Sequence, residues 1–316
     1  MSIDRVRAYF AQYGMESRVL EFDVSSATVE LAGIALSVPG KRIAKTMSFK
    51  LGDGCVLIVT AGDARIDNGK YKAQFHTKAK MLSFDEVEPL TGSLPGGVCP
   101  FAVPGHVPVY LDVSLRRFTT VFPACGSDNS AIELTCDELF RFSGAQAWID
   151  VCKDWTPECD PRPDETLHSD WAEGLTDGVV ALKLIKAVPA DEKTGFVPAY
   201  KFAITRAEDG ADAGHIELRT GYVRNTSFGG NIGYDVDEAF RGQGYAARAV
   251  KLLLPLAKRH AMPYVIVCCM VDNAASRATI EHAGGTLAET VDIPSFCGMY
   301  REGRRGKISI YRIATE

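Results

Sequence analysis

The stretch AFRGQGYAARAVKLLLPLAKRH, residues 239–260, decides how the second half of this 316-residue chain is read. Gly242 and Gly244 let a backbone turn approach a ligand closely, and the amides of the helix that follows point outward, toward an anion. Arg241 adds a cation beside them. Ala246, Val250, Leu253, Leu254 and Ala257 recur at helical spacing and predict one buried face, with Pro255 expected to interrupt and kink the helix. A phosphate cradle and a plain amphipathic helix start both fit these residues. Gly242, Gly244 and Ala247 also match the G-x-G-x-x-A spacing of a dinucleotide site. That site needs an acidic residue about 20 positions on, at the end of the next strand. Here the next strand ends at Val271-Asp272, 28 residues past Gly244, which counts against it.

Outward from the turn, GVVALKLIKAV (178–188) and PAYKFAITRAEDGADAGHIEL (198–218) are long strand-like runs that read as antiparallel, and NIGYDV (231–236) is a short strand. PYVIVCCMV (263–271) reads as a buried strand, ASRATIEHAGG (275–285) as a short helix ended by glycines, and KISIYRI (307–313) as a last strand. With these neighbours, Arg241-Gly242-Gln243-Gly244-Tyr245-Ala246 resembles the acetyl-CoA loop of the GNAT N-acetyltransferases, Q/R-x-x-G-x-G/A. VDNAASRATIEHAGG (271–285) is similar to that family's N-x-x-[SA] helix, and the resemblance covers residues 165–316. It implies that Arg241, Gly242, Gln243, Gly244, Tyr245 and Ala246 bind the CoA pyrophosphate. The strand from Tyr234 to Val236 would hold the pantetheine arm, and Asn273 and Ser276 would lie near the cofactor. Many relatives carry a tyrosine four residues after the serine or alanine of that helix, as general acid toward the CoA sulfur. Ile280 stands there in this chain, so Tyr311 is expected to substitute, with Tyr300 or solvent as alternatives. Glu281 and His282 are expected at the surface.

The first half turns on a parity count. In AKTMSFKL (44–51) Met47, Phe49 and Leu51 share one face of an alternating strand, and Lys45 shares their parity. A lysine at the start of an apolar face either snorkels at a rim or lines a pocket. TGSLPGGVCPF (91–101) combines three glycines and two prolines, which predicts either an amide nest for an oxyanion or a multi-turn loop. VLIVT, VPVYLDV and TTVFPAC read as further strands. SIDRVRAYFAQYG (2–14) is an amphipathic helix, a second helix is expected from near Ser26, and TCDELFRFSG (135–144) closes the half with Thr135 and Glu138 spaced as a capping box. Lys45-Thr46, the run Gly92 to Phe101, Asp112 in PVYLD and the turn Ala124-Cys125-Gly126 together resemble the YbaK/ProX family of aminoacyl-tRNA deacylases, over residues 1 to about 152.

That resemblance implies metal-free hydrolysis of the ester joining a wrong amino acid to tRNA. Lys45 would hold the substrate carbonyl or terminal ribose, and amides of Gly96 and Gly97 would border the scissile ester. Thr46, Gly92, Cys99, Pro100, Phe101, Asp112 and Gly126 would contact the substrate. The loop has Cys99 where serine is common, and the later turn reads PACGSDNS where a glycine-arginine pattern is familiar. Cys99 and Cys125 are not expected to be nucleophiles, because no histidine lies near them in sequence.

Composition sets the outer bounds. Nine cysteines in irregular spacing without a CxxC pair predict reduced thiols, and no Cys/His quartet has metal-ligand spacing, so no metal is expected. The formal charge of −5 argues against a dedicated nucleic-acid binder and against DNA as a partner. Residues 1–154 hold 16 basic and 18 acidic side chains, so RNA contact needs a local patch; Arg65, Lys70, Lys72, Lys78 and Lys80, around Tyr71, Phe75 and His76, form the one candidate, against a plain solvated basic face. No stretch approaches the length of a membrane span, and MSIDRVRAYF lacks the pattern of a signal peptide, so a cytoplasmic location is expected. KDWTPECDPRPDET (153–166), with three prolines and five acidic residues, reads as a linker.

The expected architecture is therefore α/β in both halves. Residues 1–152 form an editing-like domain with a mixed, curved sheet. Residues 167–316 form a GNAT-like domain with a mostly antiparallel sheet. The expected activities are deacylation of misacylated aminoacyl-tRNA and acetyl transfer from acetyl-CoA to an amine, which is a small molecule, an aminoacyl-tRNA or a protein N-terminus. An alternative makes the first domain a non-catalytic module that recruits tRNA or substrate.

Overall fold

The alternating run Ile43–Leu51 forms the strand on which the first half is built (β1), and it turns directly into an antiparallel partner, Gly54–Ala61 (β2). A computed structural model describes residues 3–315; residues 1, 2 and 316, at the outer ends of the two expected domains, lie outside it. The chain divides into two compact units, residues to 160 with 192–195, and residues 161–191 with 196 onward.

In the first unit, Val109–Asp112 (β3), Thr120–Pro123 (β4), Leu134–Thr135 (β5) and Ala147–Ile149 (β6) complete a sheet of order β5-β4-β1-β2-β3-β6. The β1–β4, β2–β3 and β3–β6 pairs are parallel and the others antiparallel, a mixed sheet as expected. Its helices are α1 (Ile3–Ala11), α2 (Val29–Leu36), α3 (Asn68–Phe75), α4 (Phe84–Thr91) and α5 (Cys136–Ser143). The second helix starts later than Ser26, because Thr28 caps it by accepting from Leu31 N–H. Thr135 and Glu138 form the anticipated capping box of α5. Two helices were not anticipated. Tyr71, fully buried, and Phe75 anchor α3 inside the basic patch, and Ser83 with Glu86 starts α4 by a second capping box. α2 packs apart from the main core, its Ala32 and Leu36 clustering with Ile43, Phe122 and Ala131.

In the second unit, Val180–Val188 (β7), Ala199–Arg206 (β8), Asp212–Arg219 (β9) and Ile232–Val236 (β10) form an antiparallel sheet in sequence order. The long run through Leu218 is thus two strands, broken where Asp209 accepts from Arg206 and from Ala211 N–H to close a turn. Tyr264–Met270 (β11), Thr286–Asp292 (β12) and Lys307–Ala314 (β13) form a second antiparallel sheet of order β11-β13-β12, in which β12 was not foreseen. The helices are α6 (Arg224–Gly229), α7 (Tyr245–Arg259), α8 (Ala274–His282) and α9 (Gly298–Arg301). α7 runs through Pro255 without a break; the proline lies on its exposed face, where the carbonyl it leaves unpaired can turn to water. Its buried face is Tyr245, Ala249, Val250, Leu253, Leu256 and Ala257, so Ala246 and Leu254 lie at the margin of the stripe rather than within it.

Residues 155–168 carry no helix or strand but are bonded at both ends. Arg117 donates to Thr156 O at 2.9 Å, and Asp164 N–H donates to His260 O at 2.8 Å. Among the described residues no helix is long and apolar enough to cross a membrane.

Candidate functional sites

β1 sits centrally in its sheet, yet part of one edge is open. β4 pairs with it at Ile43 and Ala44 only. Further along the same edge, Lys50 N–H donates to Lys80 O at 2.8 Å and Leu82 N–H donates to Ser48 O at 3.1 Å. In a strand the main-chain groups of alternate residues face the same side, so Thr46 turns its N–H and C=O into the gap between these two partners. Its Oγ1 is buried with no hydrogen-bond partner. A cavity of about 500 Å³ occupies this gap, walled by α2 (Val29, Ala32), β1 (Lys45 to Ser48), the segment Met81–Phe84, the loop Pro95–Val98 and Ala124.

Lys45 is half-buried, and its ammonium donates to Gly62 O at 3.0 Å and Ala64 O at 2.6 Å. Burial pushes its pKa below the usual lysine value, with Asp63 and Glu30 among the charges opposing that shift. Two carbonyls aim the head group without neutralising it, and an ammonium has three donors, so one remains for a ligand. The lysine at the start of the apolar face lines the cavity.

The glycine loop divides by position. Gly96, at φ +85°, lies on the cavity wall with open space around its α-carbon. Gly97 N–H already closes a turn onto Leu94 O at 3.0 Å, so it is not a free oxyanion donor. A Cβ on Gly97 would sit 3.2 Å from Gly126 O, so the two glycine turns foreseen separately in sequence abut. Six expected substrate contacts, Gly126 among them, do not line the cavity. Gly92 is the left-handed cap of α4, and Pro100 is buried beneath the loop. Phe101 is fully buried edge-to-face against Phe10, 5.0 Å between ring centres. Asp112 is fully buried, accepting from Ser114 N–H and Val151 N–H at 2.9 Å each, which commits its carboxylate to fixing the chain. Cys99 is buried and its thiol is pushed up to about 11, and burial also raises Cys125; neither thiol is poised to ionise.

In the second unit, β10 and β11 are tied near their starts by Asn231, whose N–H donates to Ile266 O at 2.6 Å and whose Oδ1 accepts from Ile266 N–H at 2.9 Å. Beyond that tie no ladder joins them among the described residues. A cleft of about 1,100 Å³ is lined by the end of β10, the turn before α7 and the first turns of α8. Gly242 and Gly244 both have φ +75°, and a Cβ on either would meet nothing within 4 Å. Gly244 is the left-handed residue from which α7 begins. Tyr234, Val236, Arg241, Tyr245, Ala246, Asn273 and Ser276 line the cleft; Gln243 does not, its side chain bonding Ala239 O at 3.1 Å. Arg241 is held by Val236 O at 2.9 Å. Two cations went unrecognised in the sequence, Lys251 and Arg248, the latter paired with Asp177 at 2.7 Å. They lie one and two turns into α7, a placement that helical spacing from the glycine turn would have given.

Asn273 caps α8 by accepting from Ser276 N–H at 3.0 Å, and Tyr234 Oη lies 2.8 Å from Ser276 Oγ. Burial raises the Tyr234 phenol, keeping it a neutral donor. Tyr311, expected as an acid, is a core residue that does not line the cleft; its hydroxyl donates to Glu281 at 3.3 Å. Tyr300 also lies away from the cleft, with Arg305 stacked on its ring. Ile280 is fully buried, and Gly285 packs directly on it.

Comparison with known proteins matches residues 24–142 to the aminoacyl-tRNA editing domain and residues 151–286 to the acetyltransferase (GNAT) domain. An uncharacterized protein of Bacillus subtilis, YwhH, is 57% identical over 156 residues, which is 49% of this chain and 99% of that protein. A proline–tRNA ligase of Desulfovibrio desulfuricans is 26% identical over 188 residues, and the chain spans only 32% of that ligase. Among solved structures, a candidate trans-editing enzyme for prolyl tRNA synthetase matches at 28% identity and TM-score 0.44, covering 48% of this chain and 96% of that one. The ribosomal L7/L12 α-N-protein acetyltransferase RimL matches at 24% identity and TM-score 0.30, covering 37% and 70%. The chain thus belongs to the aminoacyl-tRNA editing family through its first unit and to the GNAT acetyltransferase family through its second.

Proposed function

We propose that the protein is bifunctional, with an editing domain over residues 1–152 that hydrolyses misacylated aminoacyl-tRNA, a linker over 153–166, and a domain over 167–316 that acetylates an amine from acetyl-CoA. The observation that carries the first assignment is the open edge of β1, where Lys45, Thr46 and Gly96 converge on one cavity. An aminoacyl ester offers a carbonyl oxygen, an ammonium group and a ribose hydroxyl. Thr46 N–H and the free donor of Lys45 suit the first and third, and Thr46 C=O suits the ammonium. Water adds to the ester carbonyl, the bond from that carbon to the ribose oxygen breaks, and the ribose oxygen takes a proton, giving the free amino acid and tRNA. Lys45 lowers the barrier by placing positive charge beside the ribose oxygen, which becomes negative as the ester bond breaks. Lys45→Ala is expected to cut deacylation of misacylated tRNA at least about 100-fold. Unchanged deacylation across a panel of misacylated tRNAs would remove the assignment and leave the first domain a recruiting module.

For the second domain, the open glycine turn with Arg241, Arg248 and Lys251 suits a polyanionic cofactor, so the residues fit CoA. Acetyl-CoA supplies an activated acetyl thioester when bound. The amides of the turn and the three cations hold its phosphates, and Tyr234 keeps a neutral hydroxyl at the cleft beside Ser276. Titration calorimetry with acetyl-CoA tests this; absence of heat at millimolar ligand would refute it.

A further inference from the structure

We propose that Phe84 and Met81, with the lysines leading to them, receive the unpaired 3′-terminal nucleotides of a tRNA. This rests on the reading of the adjoining cavity as an aminoacyl-ester site. Both side chains line that cavity, yet Phe84 is 83% exposed and Met81 58%. Scattered exposed apolar residues are ordinary, but an aromatic ring standing free at a cavity mouth is an open stacking face. If the cavity holds the ester, the nucleotide bearing it must lie at the mouth, since the ester hangs from its ribose.

Charge decides which way the strand leaves. From Asn68 to Phe84 the chain has four lysines, His76 and no acidic residue. Lys70 is committed to Asp150 at 2.7 Å. Lys72, Lys78 and Lys80 are exposed and, among the described residues, form no ion pair. Lys80 is the neighbour of Met81, which pairs with Phe49 on β1, so the basic segment ends at the cavity. In the other direction α4 presents exposed Asp85 and Glu88, and Glu86 is bonded to Lys50. A phosphate chain emerging past Phe84 is therefore drawn along residues 80, 78 and 72 and repelled from α4. The surface suits stacked bases followed by phosphates, which supply one negative charge per nucleotide for the three lysines beyond the exposed ring.

The test is binding of the full chain to uncharged tRNA, intact or lacking its last three nucleotides, by fluorescence anisotropy over a salt series. Wild type is expected to prefer the intact tRNA about tenfold. Phe84→Ala should abolish that preference and Phe84→Tyr should retain it. Replacing Lys72, Lys78 and Lys80 by Gln should flatten the slope of log K against log salt by about 2. The proposal is overturned if wild type has no preference, if Phe84→Ala keeps it, or if Phe84→Ala disturbs only a protein partner's binding. Deacylation by the wild type is scored separately. End-specific binding without hydrolysis would refute the catalytic reading and leave this surface standing.

Discussion

Gly62 and Gly97, beside the cavity of the first unit, share a residue type with Gly242 and Gly244 at the cleft of the second but have opposite surroundings. A Cβ on Gly62 would run into Gly40 O and lie 2.8 Å from Val29 Cγ1, and one on Gly97 would press on Gly126. Around Gly242 and Gly244 there is nothing within 4 Å, and both have φ +75°. The first pair lets backbone meet backbone, so that strand, helix and loop close around a small apolar cavity. The second pair leaves backbone exposed and curved, as a turn that meets a large anion requires. On the proposed function, close packing suits a site that measures an amino-acid side chain. An open turn suits one that must admit phosphates and release them.

The comparison breaks most visibly at Gly62. Gly62→Ala should cost about 3 kcal/mol in the unfolding transition of the first unit, because the obstacle is a carbonyl and a branched side chain rather than a flexible tip. Denaturant titration reads this directly, and an unchanged transition would mean that α2 is free to shift. Gly244→Ala should be milder for folding, about 1 kcal/mol for a non-glycine residue in left-handed geometry. Its main effect should appear in acetyl-CoA affinity, weakened about tenfold or more by calorimetry. Equal affinity would show that the turn does not meet the cofactor. Gly97→Ala is expected to be the gentlest of the three. At 3.2 Å from Gly126 O the new carbon needs a few tenths of an ångström, so deacylation should show a raised KM with stability nearly unchanged.

Which glycine does which job was not legible in sequence, for a physical reason. The neighbours of Gly62 and Gly97 come from residues 22 and 29 positions away, and only the folded chain sets those distances. What local chemistry fixes was legible. Alternation placed Lys45 on the apolar face of a strand with rim and pocket both open, a T-x-x-E signature placed the start of α5, and R-G-Q-G placed the start of α7. The same capping signature stands at Ser83-Phe84-Asp85-Glu86, and the sequence reading took no helix from it, so the cavity wall made by α4 was missed. Tyr311 and Phe101 were misjudged because parity gives the face of a strand or loop but not the partner across it. One meets Glu281 and the other Phe10.

The smallest expected effect concerns how the two units respond to acid. His260 is fully buried, with Nδ1 2.6 Å from Asp164 O and Nε2 3.0 Å from Tyr200 Oη, and burial holds its pKa below the ordinary 6.5. Its folded value lies below its unfolded one, so the native state takes up fewer protons. The stability it contributes is complete above about pH 6.5 and declines as pH falls through the folded value. In the first unit, Lys50 and Ser83 hold the Glu86 carboxyl down to about 2 from 4.5, so its contribution begins to fade only below pH 4.5. Thermal unfolding followed from pH 7 to 5 should therefore lower the transition of the second unit before that of the first. His260→Gln, which keeps a donor and cannot titrate, should flatten that early decline in the second unit alone. An unaltered decline would assign the acid sensitivity to other groups and leave His260 a packing residue.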